Sequence, residues 1–302
     1  MIPAAFTYHR PKTLASALRL LETLGPDARV LAGGQSLLPM MKLRLASPPH
    51  LVDISRITTL QRIRKSPGRL RIGALATHWM VETSPAVRRL APALAETASI
   101  IGDIQVRNLG TIGGSLAHAD PAADYPATLL ALDAEFELQD SRGSRVVVAH
   151  EFFQGLMTTA LRPGEMLIEI SVPTLPPRSG AAYLKMPNPA SGFALAGVAA
   201  ALAVDADGRC TMARVGITGV SASAYRARAV EEAVVGREPT DDTLASAAAV
   251  AADGVEANAD FFAGAEYRRH LARVLTRRAL ALARDRIRPQ RQAARRPGPD
   301  AS

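Results

Sequence analysis

The spacing of apolar residues near the start of the chain predicts a small layer of helix and strand. Apolar residues recur at helical spacing in LASALRLLETL, where Thr13 is placed to cap the helix and Gly25 to end it. The short apolar runs ARVLA and HLVDI that follow predict two strands. Because helix and strand alternate here, we expect an N-terminal α/β layer, and assign it residues 1–55.

The next part of the chain, residues 56–176, has the pattern of an antiparallel sheet accompanied by helices. RLRIGALA alternates apolar and polar positions with period two, as a half-buried strand does. Segments 134–138, 144–149 and 166–172 predict further strands of the same sheet. Helical patterns lie between them, in MVETSPAVRRL, ALAETASII and PATLLALDA.

A linker with three prolines and a glycine, SVPTLPPRSG, precedes a third region. There AAYLKM, FALAGVAAALAV and CTMARVGITGV predict a three-stranded antiparallel sheet, with helices at about 226–235, 241–253 and 267–287. We expect this C-terminal α+β domain to span 177–287 and to be followed by a disordered basic tail, 288–302. The predicted fold class is therefore α+β, with two α+β subdomains ahead of this domain.

The distribution of charge argues against nucleic acid as a partner. The chain has a formal charge of +8, but Tyr267 to Ser302 carries 11 arginines against two aspartates, which leaves a charge of −1 on residues 1–266. Aromatic residues make up only 4% of the chain, so few side chains are available to stack on bases. We expect no nucleic-acid partner.

Cysteine content and hydropathy exclude some classes of site and of cellular location. Cys210 is the only cysteine, which excludes an internal disulfide and an iron–sulfur cluster ligated by this chain; we expect a core thiol. The longest apolar run is too short to span a bilayer, and MIPAAFTYHRPK lacks an apolar signal core. A cytoplasmic location is the resulting expectation, with membrane association at most through a complex.

Two glycine motifs are the main candidates for ligand binding: AGGQS at residues 32–36 and TIGGS at residues 111–115. Neither matches the dinucleotide fingerprint or the P-loop, and neither contains a lysine for phosphate. Both are expected to offer free backbone N–H groups and hydroxyls, which suit a pyrophosphate. The alternative interpretation is that each glycine pair only makes a tight turn.

Other polar residues give weaker signals. His118 and Asp120 in HADPAAD have no obvious further ligands, so we expect no metal site. Arg107 suits either a phosphate or an ion pair. No pattern of nucleophile and base indicates a catalytic side chain. We expect the remaining histidines to be surface or cap residues (His9, His50, His78, His150 and His270), and the apolar residues after the first motif to be core (Met40, Met41, Leu43 and Leu45).

Several longer stretches resemble one known family. They are FTYHRPKTLASAL, LAGGQSLLPMMKLRLASPPHLVDI, IGDIQVRNLGTIGGSLAHADPAADYPATLLALDA, LRPGEMLIEISVP, SGFALAGVAAAL and AEYRRHLARVLTRRAL. In this order they resemble the FAD-binding medium subunit of the molybdenum hydroxylases, the family of aerobic carbon monoxide dehydrogenase and xanthine dehydrogenase. The resemblance covers Met1 to about Ile287. It implies that FAD lies between the first two subdomains and that the third closes over its ring.

The resemblance also implies which residues hold FAD. Phe193 stands where some carbon monoxide dehydrogenase subunits have tyrosine, Gln35 where some relatives have histidine, and Ser115 where many have asparagine. The implied cofactor-binding residues are Ala32, Gly33, Gly34, Gln35 and Ser36 on one side of the pyrophosphate, Thr111, Ile112, Gly113, Gly114 and Ser115 on the other, and Asp124, Lys185 and Phe193.

The function implied by the resemblance is electron transfer within a complex. The chain would take electrons from an iron–sulfur small subunit, itself reduced by a molybdopterin large subunit, and pass them to an external acceptor. A carbon monoxide dehydrogenase-like complex is favoured. The alternatives are a subunit of a xanthine, N-heterocycle or aldehyde dehydrogenase, an independent flavin oxidoreductase, and a nucleotide-binding interaction subunit without redox turnover.

Overall fold

Three main β-sheets and one small two-stranded sheet, with helices packed on them, organise residues 2–287, the part of the chain that the computed structural model describes. The predicted tail, 288–302, lies outside these residues. The sheets occupy residues 7–53, 63–173 and 179–226, on either side of the predicted boundaries near 55 and 176. This arrangement supports the three-part division, which we retain as a proposal. The mixture of helix and strand confirms the α+β class.

The N-terminal layer is a parallel sheet of three short strands, in which the strand at 50–53 lies between those at 7–9 and 28–31. The Thr13 hydroxyl caps the first helix by accepting the Ser16 N–H at 3.2 Å, and Gly25 follows its end at φ +58°. Both predicted boundaries of that helix are confirmed. The elements are β1 (Thr7–His9), α1 (Leu14–Leu24), β2 (Ala28–Leu31), α2 (Leu37–Lys42) and β3 (His50–Asp53).

The middle region is an antiparallel sheet with one face covered by a group of helices. Its strands lie in the order 63–66, 69–73, 166–173, 135–139 and 144–148, so the strand predicted from RLRIGALA pairs with the strand predicted at 166–172. Phe136 and Phe152 lie at the centre of its core, with ring centroids 4.7 Å apart. The elements are β4 (Ile63–Ser66), β5 (Arg69–Gly73), α3 (His78–Thr83), α4 (Pro85–Leu90), α5 (Pro92–Ser99), α6 (Ile104–Leu109), α7 (Ile112–His118), α8 (Asp124–Ala131), β6 (Glu135–Gln139), β7 (Ser144–Val148), α9 (Ala149–Phe152), β8 (Phe153–Gly155), β9 (Thr158–Thr159) and β10 (Met166–Pro173).

The C-terminal domain is an antiparallel sheet with the long last helix packed across it. A two-residue strand at 225–226 pairs with the strand at 210–218 and extends the predicted three-stranded sheet to four strands. Two residues are too few to show period-two alternation in the sequence. Cys210 is buried in this core, as expected. The elements are β11 (Ser179–Pro187), β12 (Ala194–Val204), β13 (Cys210–Thr218), β14 (Tyr225–Arg226), α10 (Arg228–Val234), α11 (Asp241–Ala248) and α12 (Ala265–Asp285). None of the helices within residues 2–287 combines the length and the apolar character needed to cross a bilayer.

A buried ion-pair network joins the middle region to the C-terminal domain. Arg226 donates to both carboxylate oxygens of Glu231, at 2.6 and 2.8 Å, and to Asp133 at 2.6 Å. Asp133, just after α8, also pairs with Arg214 at 2.7 Å. These residues line a cleft of about 630 Å³, and none of the predicted cofactor-binding residues lines it. The network therefore fixes the two regions against each other, away from the glycine motifs.

Candidate functional site

The first glycine motif is the turn between β2 and α2, and it is pressed against the middle region. A Cβ on Gly33 would collide with the carbonyl oxygen of Leu109 and lie 2.8 Å from the Cα of Gly110, so only glycine fits. Gly34 has φ +75°, a conformation that favours glycine. Gln35 folds back and donates to the Gly33 carbonyl at 3.2 Å. Both glycines thus have a structural reason, as the tight-turn interpretation required.

The same turn leaves a row of backbone donors without protein acceptors. Among residues 2–287, the turns and loops show no hydrogen bond donated by the amides of residues 33–37. The Ser36 side chain makes no capping bond to α2. Uncommitted N–H groups in a half-buried turn are what a pyrophosphate requires. The expected free donors are therefore present in the first motif.

The second motif is different: it is the start of a helix rather than a loop. Thr111 caps α7, its hydroxyl accepting the Gly114 N–H at 3.1 Å. The amides of Ile112 and Gly113 donate to Ala76 and Ala74, at 3.0 and 2.9 Å, and the Ser115 amide donates to the Thr111 carbonyl. The expectation of a run of free N–H groups here is wrong, because these four amides have protein acceptors.

Burial also divides the second motif. Ile112 and Gly113 lie in the core, and a Cβ on Gly113 would lie 2.5 Å from that of Ala74. Gly114 and Ser115 are half-buried, and a Cβ on Gly114 would lie 3.8 Å from that of Ala32. The structure therefore brings the two motifs face to face, with Gly114 and Ser115 on the side that adjoins the first motif.

Arg107, considered for a phosphate, instead forms an ion pair. Its Nε lies 3.0 Å from a carboxylate oxygen of Glu82, and it also donates to the Gly102 carbonyl at 3.1 Å. The ion-pair alternative is the one that the structure supports.

A second group of predicted residues meets where α8 touches the C-terminal sheet. Asp124, the first residue of α8, is buried and accepts the Tyr183 hydroxyl at 2.6 Å and the Lys185 amine at 3.0 Å. Burial raises the pKa of the Asp124 carboxyl, while Lys185 and the Tyr183 hydrogen bond act against that rise. Phe193, in the hairpin between β11 and β12, is 47% exposed. The three predicted residues therefore lie on neighbouring parts of the fold: Asp124 at the start of α8, Lys185 on β11 and Phe193 in the hairpin that follows β11.

His78 lies between the two groups of predicted residues, although the sequence did not indicate it as part of the site. It was expected to be a surface or cap residue, but it is buried: its Nδ1 lies 3.1 Å from the Tyr125 hydroxyl, and its backbone N–H donates to the Gly110 carbonyl. Burial, with a smaller effect of Arg107, lowers the pKa of His78 from 6.5 to about 4. It links the two groups, because Gly110 precedes the second motif and Tyr125 follows Asp124. The sequence offers no signal for this beyond the apolar residues that follow His78.

Comparison with known protein families covers nearly all of the described residues. A model described as the FAD binding domain in molybdopterin dehydrogenase matches residues 4–175, and one described as the CO dehydrogenase flavoprotein C-terminal domain matches residues 181–283. The chain belongs to this family. Its cofactor is FAD, and the predicted family is confirmed.

Individual relatives are similar over their full length. The carbon monoxide dehydrogenase medium chain of Afipia carboxidovorans is 40% identical, over 95% of this chain and 99% of the relative. The 6-hydroxypseudooxynicotine dehydrogenase complex subunit alpha of Paenarthrobacter nicotinovorans is 38% identical, over 97% and 99%. A solved structure of the Hydrogenophaga pseudoflava carbon monoxide dehydrogenase that lacks the Mo-pyranopterin moiety contains a chain that matches with TM-score 0.92 and 41% identity, over 95% of this chain and 100% of that one.

The residues present fit the cofactor of the family. Residues 33–37 carry a row of uncommitted amides, and Ala32, just before them, lies opposite Gly114. The donors are neutral, as expected for a site without a phosphate lysine. The chain is an FAD-binding subunit of a multi-subunit oxidoreductase of the molybdenum hydroxylase type.

Proposed function

We propose that the chain takes electrons from an iron–sulfur subunit and passes them to an external acceptor, in a complex whose molybdopterin subunit oxidises the substrate. The carbon monoxide dehydrogenase-like branch is favoured by the 40% identity to two carbon monoxide dehydrogenase medium chains. A cytoplasmic location is part of the proposal, and Cys210 as a buried free thiol suits a reducing compartment.

The observation that carries the proposal is the row of free amides in the first motif. We propose that residues 32–36 bind the pyrophosphate through these N–H groups and the Ser36 hydroxyl. Gly114 and Ser115 flank it from the other side, because Gly114 lies opposite Ala32. Thr111, Ile112 and Gly113 support this side through the helix cap and the core rather than through free donors.

The remaining predicted residues belong to the ring end of the proposed site. Bound FAD supplies the redox chemistry, accepting electrons from a one-electron donor and releasing them to an acceptor. The part of this chain is to hold and orient the cofactor. Asp124 and Lys185 form a closed, buried ion pair at this end, and Phe193 presents a half-exposed aromatic ring.

The partner subunits are proposed from what the chain contains and exposes. A single buried cysteine leaves no ligands for an iron–sulfur cluster, so electrons must arrive from another chain. Apolar side chains close in sequence to the two motifs are exposed: Leu43 and Leu45 after α2, and Leu109 just before the second motif. Leu43 and Leu45 were expected in the core, and that expectation is wrong. We propose that these three residues, the leucine surface, contact a partner subunit.

Reduction of the isolated chain tests the function. The full chain loaded with FAD should be bleached by dithionite and reoxidised by an acceptor. Under anaerobic conditions carbon monoxide, a purine or an aldehyde should leave the flavin absorbance unchanged until the iron–sulfur and molybdenum subunits are added. Bleaching of the lone chain by one of these substrates would instead identify an independent flavin oxidoreductase. Failure of the purified chain to bind FAD would overturn the assignment altogether.

The role of the first motif is tested separately by Ser36→Ala. Because the Ser36 side chain makes no capping bond, its removal should leave the melting temperature unchanged. The affinity for FAD should fall about tenfold, the usual effect of losing one hydrogen bond to a charged group. Ser141→Ala, in the exposed turn between β6 and β7, is the matched control and should change neither quantity.

A further inference from the structure

Lys185 has used all of its protons within the protein. An ammonium group carries three N–H donors. The Lys185 amine donates to the carbonyl of Ile100 at 2.9 Å, to a carboxylate oxygen of Asp124 at 3.0 Å, and to the carbonyl of Gly192 at 2.8 Å. Its side chain is only 6% exposed. No proton of this amine remains for a hydrogen bond to a bound cofactor, although the family resemblance places the lysine near the flavin.

Both carboxylate oxygens on the acceptor side of the pair are also engaged within the protein. One oxygen of Asp124 takes the Lys185 amine and the other takes the Tyr183 hydroxyl at 2.6 Å. The three segments that Lys185 joins are the residue after α5, the start of α8, and the hairpin between β11 and β12. The amine therefore links the middle region and the C-terminal domain through its hydrogen bonds.

The third bond of this amine acts on Phe193. The Gly192 carbonyl belongs to the peptide plane that also contains the Phe193 N–H, so a hydrogen bond to Gly192 fixes the orientation of Phe193. Within the hairpin, the Asn188 N–H donates to the Phe193 carbonyl at 2.7 Å. On the other side, the Ala194 N–H donates to the Ala122 carbonyl at 3.2 Å. Phe193 is thus held within its own hairpin by Asn188, and the next residue, Ala194, is held to the segment just before Asp124.

We propose that Lys185 is a positioning residue: it sets the place of the Phe193 ring through the Gly192 carbonyl and makes no bond to FAD. The inference rests on the proposed function, because it assumes that Phe193 faces the cofactor. It replaces the direct contact between lysine and flavin that the resemblance implies. The ion pair to Asp124 is what holds the amine in a place from which it reaches the hairpin.

A mutant cycle separates positioning from direct contact. Lys185→Met combined with Asp124→Asn, the neutral pair, removes both charges and leaves no buried charge without a partner. FAD affinity and the visible circular dichroism of the bound flavin are measured in the wild type, the neutral pair, Phe193→Ala, and the triple variant. The neutral pair should weaken binding about tenfold and change the dichroism when Phe193 is present. With Ala at position 193, it should change affinity by less than about twofold.

The opposite pattern overturns the proposal. If Lys185 bonds the flavin directly, the neutral pair will weaken binding by the same factor in both backgrounds. Lys65→Met, an exposed lysine on β4, is the control for loss of a lysine and should have no effect. Failure of the wild-type chain to bind FAD would refute the proposed function instead, which keeps the two outcomes distinct.

A crystal structure of the FAD-loaded wild-type chain tests the same inference without any variant. The bonds from Lys185 to Ile100, Asp124 and Gly192 should all be retained. A flavin atom within about 3.2 Å of Nζ, in place of one of these acceptors, would overturn the proposal.

Discussion

The ring of His78 and the hydroxyl of Tyr125 lie 3.1 Å apart in the protein interior, and this contact joins the two groups of predicted cofactor-binding residues. The His78 ring also packs directly against Gly110, since a Cβ on Gly110 would lie 2.6 Å from the Nε2 atom of His78. Burial raises the pKa of Tyr125 well above 10 and lowers that of His78 to about 4. Both groups are therefore neutral at pH 7, and a charge on His78 would have to be accommodated in the core.

The first prediction follows from the low pKa of His78. The unfolded chain binds this proton near pH 6.5 and the folded chain only near pH 4, so stability is complete above pH 6.5 and falls as the pH drops toward 4. Between pH 7.5 and pH 5 the histidine should cost about 2 kcal/mol of unfolding free energy. His78→Gln should remove that part of the pH dependence in urea unfolding, whereas His270→Gln, on the exposed side of α12, should leave it intact. An unchanged pH dependence in His78→Gln would contradict the assignment.

The second prediction separates binding from backbone strain in the first motif. Gly34 and Gly68 have φ values of +75° and +66°, so backbone strain from alanine at either position should cost about 1–2 kcal/mol of stability. At Gly34 the new Cβ would also lie 2.8 Å from the flexible Leu38 side chain, which has to shift, whereas nothing lies within 4 Å at Gly68. Only Gly34→Ala should also weaken FAD binding, because Gly68 lies in the hairpin between β4 and β5. Thermal unfolding and FAD titration of both variants provide the comparison. Equal FAD affinities would show that the first motif does not hold the cofactor.

The third prediction concerns the network at Arg226. Arg226→Met removes the two hydrogen bonds that this guanidinium donates to the buried carboxylate of Glu231, leaving only the Val215 N–H and the more distant Arg228, which should cost about 3–5 kcal/mol. Arg228→Met is a matched control on the next helix, because Arg228 is 58% exposed and lies 4.0 Å from Glu231. The control should cost less than about 1 kcal/mol. Similar unfolding free energies for the two variants would show that the network adds little to the domain contact.

The fourth prediction tests the leucine surface. Leu45 is 72% exposed, so Leu45→Arg should leave the melting temperature and the FAD content of the isolated chain unchanged. Assembly with the iron–sulfur and molybdenum subunits, followed by size-exclusion chromatography, should be weakened. Val146→Arg, at an exposed position of β7, serves as the control. Normal assembly of Leu45→Arg would place the partner on another surface.

Much of the fold was predictable where local chemistry decides it. The cap at Thr13 and the glycine at position 25 defined α1, since both act within a few residues of the helix ends. The strand predicted from FALAGVAAALAV is present as β12 and is buried along nearly its whole length. Its uninterrupted apolar run reflects packing on both faces of the strand: α12 covers one face in the core of the C-terminal domain, and α8 of the middle region covers the other.

The predictions that failed concern features that depend on contacts between residues far apart in the chain. His78 is buried because Tyr125 supplies a partner 47 residues later. The amides of Ile112 and Gly113 are occupied because α7 starts against Ala74 and Ala76, a contact that no glycine spacing encodes. Leu43 and Leu45 were expected in the core because they are apolar, but both are exposed. The residue type alone does not distinguish a core position from an exposed one.

The contact of Gly33 with the peptide between Leu109 and Gly110 has a consequence for biogenesis. The two faces of the proposed site are the first glycine motif, in the N-terminal layer, and the second glycine motif, in the middle region. The N-terminal layer leaves the ribosome first. Neither stretch alone presents both faces, so loading of the flavin has to follow the meeting of the two units. Cofactor uptake would then report that tertiary assembly is complete before any partner subunit is engaged.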